Sequence, residues 1–113
     1  MIKIYHNNRC RKSREGLQIL EKSGESFEIV NYLETVPSKK ELTDIIDLLG
    51  ISPIELVRKN ESIWKEKFKN KNLTNEEIIK AMIDFPKLIE RPIVINGNKA
   101  AIGRPSSKIL EII

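Results

Sequence analysis

The chain has 113 residues but only one cysteine, one histidine and one tryptophan. Each scarcity excludes something. A single cysteine closes no internal disulfide, so the fold must hold by its core, and the cytoplasm, where thiols stay reduced, is the expected address. One histidine and one cysteine give no cluster with metal-ligand spacing, so no protein-bound zinc is expected. There is no glycine-rich phosphate loop, no dinucleotide fingerprint, no repeat and no domain linker. No apolar run approaches the ~20 residues of a membrane span. The start, MIKIYHNNRC, carries no apolar stretch of secretory length. Aromatic residues are 5% of the chain: three Phe, two Tyr and one Trp. That is too few for stacking on bases, and the basic residues are interleaved with carboxylates. The net charge of +4 is therefore not read as a sign of a nucleic-acid partner, and none is expected; it suits a small anionic substrate equally well. A monomer without a membrane partner is expected.

What is present suits one α/β domain over residues 1–113, with 40% hydrophobic and 32% charged residues. Ile2-Lys3-Ile4-Tyr5 reads as a strand. Lys12 to Lys22 reads as a helix with Leu17 and Leu20 inward, ended by Ser23-Gly24. Phe27 to Tyr32 reads as a second strand. The three make a βαβ unit, whose strands run parallel with a right-handed crossover. The far end reads as ββα. Pro92 to Ile95 is a strand, Asn96-Gly97 is a hairpin turn, and Ala100 to Ile102 returns. A terminal helix opened by Pro105-Ser106 then packs through Ile109, Leu110 and Ile113.

Between them, over about 38–90, lies a helical insertion. Three Ser/Thr-x-x-Glu capping boxes mark it: Ser38 to Glu41, Ser52 to Glu55 and Thr74 to Glu77. Leu42, Ile45, Ile46 and Leu49 line one helix before Gly50, and Ile78, Ile79, Met82 and Ile83 another. Lys65 to Asn72 reads as a polar loop. The arrangement predicted is thioredoxin-like, with a four-stranded mixed sheet. In that fold the loop after the first strand feeds the first helix, and Cys10 lies in that loop.

The stretch Tyr5-His6-Asn7-Asn8-Arg9-Cys10-Arg11-Lys12-Ser13-Arg14 holds both the cysteine and the histidine. A lone cysteine is most often a small buried hydrophobe. This one sits among Asn, Arg and Lys, which argues against core packing. A helix start and surrounding positive charge lower a thiol pKa and favour the reactive thiolate. His6 either adds charge or orients the loop. The same features bind a tetrahedral oxyanion. No second cysteine stands three positions to either side, so an oxidised or adducted Cys10 depends on an outside thiol such as glutathione.

The spacing His6-x-x-x-Cys10-x-x-x-Arg14 resembles the motif of the glutaredoxin-coupled, ArsC-type arsenate reductases. Leu56-Val57-Arg58-Lys59-Asn60, Glu90-Arg91-Pro92-Ile93-Val94 and Gly103-Arg104-Pro105-Ser106 are similar to further stretches of that family, as are Tyr32-Leu33-Glu34 and Pro37-Ser38. The resemblance spans essentially the whole chain. It implies that Cys10 attacks arsenate and that His6 helps to depress its pKa. Arg58, Arg91 and Arg104 are implied to bind the oxyanion, and Asn7, Ser13 and Arg14 to support the loop. Guanidinium forks suit that role. Arg91-Pro92 falls at the cis-proline position of such folds. The implied partners are arsenate or a similar oxyanion, glutathione as external reductant with no bound cofactor, and glutaredoxin. Asn8 and Arg11 depart from the family, which commonly has proline and glycine there. Two other readings stay open: another glutathione-dependent thiol reaction, or a non-catalytic regulator that binds RNA polymerase.

Overall fold

Alternation decides the first element. The computed structural model describes residues 1–113, and in it Ile2, Ile4 and Tyr5 of β1 (Ile2–Tyr5) are buried while Lys3 is exposed. β2 (Phe27–Val30) pairs with β1 in parallel, Ile2 opposite Phe27 and Tyr5 opposite Val30. The crossover is the helix α1 (Arg11–Ser23), stopped by Gly24 at φ 77°, a conformation glycine adopts without steric cost. β3 (Ile93–Asn96) runs antiparallel to β1, and β4 (Lys99–Ile102) returns along β3 through a turn in which Gly97 has φ 62°. The strand order is β2-β1-β3-β4, which makes the sheet mixed. This βαβ plus ββα pattern is the thioredoxin-like arrangement.

These elements form one unit, residues Met1–Thr35 with Arg91–Ile113. Its core is Ile2, Ile4, Leu20, Val94 and Ile109, with Leu17, Ile19, Phe27, Ile112 and Ile113 packed against it. Pro92 is pinched between two glycines. A Cβ on Gly16 of α1 would stand 2.8 Å from Pro92 Cγ and 2.9 Å from Ile109 Cδ1. A Cβ on Gly103 would meet the same two atoms at 2.8 and 3.0 Å. The Arg91–Pro92 and Arg104–Pro105 peptide bonds are both cis.

Two sequence expectations need correction here. The second strand stops at Val30, not Tyr32, because the Asn31 carbonyl accepts the N–H groups of Glu34 (3.0 Å) and Thr35 (2.8 Å) and turns the chain. The terminal helix is a 3₁₀ helix, Ser106–Glu111. Its three-residue repeat puts Ile109 and Ile112 on one side, and Leu110 is left 60% exposed instead of packed.

The second unit is Val36–Glu90. α2 (Lys39–Leu49) begins where the Ser38 hydroxyl accepts the Glu41 N–H at 3.1 Å and ends at Gly50, φ 67°. Its inward residues Leu42, Ile45 and Ile46 are buried. The Ser52-Glu55 box builds only a four-residue 3₁₀ turn, Pro53–Leu56. The polar stretch expected as a loop from Lys65 is in part helix: α3 (Ser62–Lys67) exists because Trp64 is buried and stacks on Phe68 at 5.4 Å between ring centroids. Phe68 in turn meets Phe85 edge-on at 6.0 Å. Aromatic burial here outweighs the polar composition. α4 (Asn75–Asp84) has a complete capping box, Thr74 N–H to Glu77 Oε1 at 2.9 Å and Glu77 N–H to Thr74 Oγ1 at 3.2 Å. A bridge between Val57 and Ile89 closes the unit. No helix of the molecule is long and apolar enough to cross a membrane.

The pinched proline yields a stability prediction. Gly103→Ala should cost about 1–3 kcal/mol, since a rigid ring cannot yield to the added methyl. Gly16→Ala should cost less, because alanine recovers about 1 kcal/mol of helix propensity. Urea denaturation midpoints of the two variants check the order.

Candidate active site

The site is built at the end of β1. The His6 N–H donates to the Val30 carbonyl at 2.9 Å, which carries the strand pairing one residue past β1. The chain then turns: the Cys10 N–H donates to the Asn7 carbonyl (3.0 Å) and the Arg9 N–H to Asn7 Oδ1 (3.0 Å). Cys10 is the N-cap of α1, with extended backbone, and its carbonyl accepts the first helical bond from the Arg14 N–H at 3.0 Å. No acidic residue stands in the first turn of α1. A cap position faces the orphan N–H groups of the second and third helical residues. Here those are Lys12 and Ser13.

Beneath the loop lies the fully buried Ser13. Its Oγ stands 2.6 Å from His6 Nδ1 and accepts the Asn7 N–H at 3.0 Å. His6 is buried too, and its Nε2 faces Asn8 Oδ1 at 3.5 Å. In the tautomer with the proton on Nε2, Nδ1 accepts the Ser13 hydroxyl proton, and both ring nitrogens of His6 have a partner. Arg14 reaches back from the helix, Nη1 donating to the Asn8 carbonyl at 3.0 Å. His6, Asn7, Ser13 and Arg14 thus all hydrogen-bond within the loop that carries Cys10.

Two arginines arrive from the other end of the chain. Arg104 stands two residues past the end of β4. Its Nε donates to the Arg91 carbonyl at 3.1 Å, and its Nη2 lies 3.9 Å from Cys10 Sγ. Arg91 precedes β3, is buried, and acts on the sulfur by hydrogen bond and by charge. Burial of Cys10 pushes its thiol up and is the largest single effect. The Ser13 backbone N–H, the Arg91 guanidinium and the Lys12 backbone N–H together outweigh it and hold the thiol below its ordinary pKa. The thiolate therefore sits among helix N–H groups and two guanidinium groups. A nucleophile so placed can attack an electrophilic centre whose oxygens the arginines bind.

The model of the ArsC family matches residues 5–112. The chain belongs to the ArsC family. It is 47% identical to the uncharacterized protein YfgD of Escherichia coli, over 99% of this chain and 96% of that one. It is 44% identical to the arsenate reductase of Neisseria meningitidis, over 96% of this chain and 94% of the relative. The solved structure of the arsenate reductase from Vibrio cholerae superposes with a TM-score of 0.94 at 40% identity, covering 99% of this chain and 97% of that one.

Arg58 is found in the second unit of this ArsC-family chain. There its N–H donates to the Leu88 carbonyl (2.7 Å) and its Nη1 pairs with Glu61 Oε1 (3.4 Å). The two departures from the family pattern have visible consequences. Arg11 is 85% exposed and pairs with Glu15 at 3.6 Å, and Lys12 pairs with the same carboxylate at 3.8 Å. Glu15 thus draws off both side chains, and only the Lys12 backbone acts on the thiol. Asn8 contributes a side-chain partner to His6, which a proline could not. Sequence reasoning missed Gly16 and the backbone role of Lys12. A glycine inside an otherwise regular helix was the available signal for the first.

The lowered thiol gives a pH prediction with a definite sign. The thiolate contributes stability that is present above the unfolded-state pKa and lost as pH falls through the folded-state pKa. Alkylation of Cys10 by iodoacetamide should therefore show a midpoint below that of a free thiol. In Arg91→Ala the midpoint should move up. Rate against pH for both proteins checks this.

Proposed function

We propose that this protein reduces arsenate to arsenite, with Cys10 as nucleophile and glutathione, with glutaredoxin, as the outside source of electrons. The observation that carries the reading is the convergence of Arg91 and Arg104 on the sulfur of the residue that stands at the N-cap of α1. The arsenate reductases of Neisseria meningitidis and Escherichia coli, 44% and 39% identical to this chain, support the choice of substrate. The absence of a second cysteine in the chain supports the outside thiol. Such a reductant pool belongs to the cytoplasm, the address this reading assigns.

In the first step the thiolate attacks arsenic, a sulfur–arsenic bond forms, and one arsenate oxygen leaves as water after protonation. Arg91 and Arg104 bind the remaining oxygens and take up the charge that develops on them. In the second step a glutathione thiolate attacks Cys10 Sγ. A disulfide forms, the electron pair of the sulfur–arsenic bond stays on arsenic, and arsenite departs. Two thiols are oxidised to one mixed disulfide while arsenic falls from the pentavalent to the trivalent state. Glutaredoxin then takes the glutathione from Cys10 by thiol–disulfide exchange. The ring of His6 serves by holding the loop through Ser13 and Asn8.

The test is NADPH consumption coupled through glutathione reductase, with arsenate, glutathione and glutaredoxin present. Cys10→Ser should fall to background. Arg104→Ala should lose roughly a hundredfold in kcat/KM, the usual scale for removing one oxyanion donor. Arg58→Ala in the same assay asks whether a third arginine takes part. Arsenate turnover by Cys10→Ser at the parent rate defeats the reading. Parent protein that is glutathionylated at Cys10 yet inert toward arsenate would favour another thiol reaction instead.

A further inference from the structure

Besides residues 1–14, with five basic side chains and no acidic one, a second basic stretch lies in the second unit. Residues 58–71 carry six basic side chains (Arg58, Lys59, Lys65, Lys67, Lys69, Lys71) and two acidic ones (Glu61, Glu66), a surplus of four. The whole chain, with 20 basic and 16 acidic residues, has the same surplus. Outside these two stretches the nine basic side chains that remain are outnumbered by fourteen acidic ones, so no further basic patch of this size is available. Five residues of the 58–71 stretch, Lys59, Trp64, Lys65, Lys69 and Lys71, line a cleft of about 370 Å³ together with Ile54. Every charged group on its wall is an ammonium.

These lysines differ from others in their unit. Lys39 pairs with Glu76, Lys40 with Asp44 and Lys80 with Asp84, all within 4 Å. Lys67 turns from the cleft and lies over the Phe85 ring at 5.6 Å. Lys59, Lys65, Lys69 and Lys71 make no ion pair. Lys59 acts only weakly on Glu55, a carboxylate governed chiefly by its bonds to Ser52. Four like charges gathered around one concavity repel one another and attract an anion into it. Ammonium groups are point charges suited to phosphate, and the cleft has no guanidinium fork of the kind that favours carboxylates. Ile54 and Trp64 give the same cleft an apolar wall, and its volume falls in the range of small-molecule sites.

We propose that this cleft binds a phosphorylated small molecule with a planar or apolar body and several negative charges, of the nucleoside polyphosphate kind. The phosphates lie among Lys59, Lys65, Lys69 and Lys71, and the body lies on Ile54 and Trp64. The proposal does not rest on the arsenate reading.

Trp64 is the only tryptophan of the chain, so its indole N–H resonance is unambiguous and reports on this wall of the cleft and its stack on Phe68. Isotope-labelled full-length protein is titrated with ATP, and separately with inorganic tripolyphosphate, in moderate salt without divalent metal. The expected result is a saturable shift of the Trp64 indole N–H and of the amides of Lys59, Lys65, Lys69 and Lys71. ATP should bind about tenfold more tightly than tripolyphosphate, the scale of one buried planar contact. The double variant Lys65→Gln/Lys69→Gln should lose about tenfold in ATP affinity, and Lys22→Gln/Lys108→Gln, two exposed lysines elsewhere, should lose none. An unmoved Trp64 resonance overturns the proposal, as does a response confined to the residues around Cys10. Equal loss in the two double variants overturns it as a site, since it reduces the effect to general attraction of a polyanion. Equal affinity for ATP and tripolyphosphate overturns the role of the apolar wall.

Discussion

One buried hydroxyl holds the reactive end of this molecule together. Ser13 Oγ receives the Asn7 N–H and contacts His6 Nδ1 at 2.6 Å, joining the residue that leaves β1, the turn after it and the first turn of α1. Without it the buried His6 Nδ1 would lose its partner, at a cost of about 1–3 kcal/mol, and the part-buried Asn7 N–H would lose its own. With it, the path of the chain from His6 to Ser13 is fixed, and so is the position of Cys10 as helix cap. The electrostatics follow from that position. The thiol is lowered by the nearby N–H groups of Lys12 and Ser13 because Cys10 is the cap residue, and it meets arginines because it stands at the sheet end where Arg91 and Arg104 emerge.

Close packing supplies the second half of the geometry. Gly16 and Gly103 face the Pro92 ring at distances no side chain would tolerate. The Gly103 N–H also donates to the Pro92 carbonyl at 2.8 Å, drawing the residues on either side of the hairpin together. Arg91 and Arg104 are the neighbours of these two residues, and the Arg104 guanidinium is aimed by the Arg91 carbonyl. Packing of a few apolar atoms thus sets where the charged groups of the site stand.

Much of this was legible in the sequence. Alternation in Ile2 to Tyr5, the Asn96-Gly97 turn and glycine at helix ends announced the sheet and its connections, because each depends on local backbone preference. The thiol announced itself by polar neighbours. What was not legible depended on contacts distant in sequence or on small energy differences. The choice between an α and a 3₁₀ helix at Ser106–Glu111 is one such difference. Trp64, Phe68 and Phe85 made a helix of part of a polar stretch through a cluster that no single window contains. Arg11 departs from the family pattern in the sequence, and its exposed pairing with Glu15 one helical turn later is visible only in the structure. Arg58 was grouped with the other arginines only through family resemblance. What its own unit shows is a bond to Glu61.

The central claim is that the Ser13 cluster positions Cys10 and thereby keeps its thiol low. The most direct measurement is the pH titration of the Cys10 thiolate by ultraviolet absorbance in folded Ser13→Ala, beside the parent protein. The account predicts that the midpoint rises toward that of a free thiol, because the loop no longer holds the sulfur against the helix N–H groups and Arg91. An unchanged midpoint in a variant that folds would contradict it.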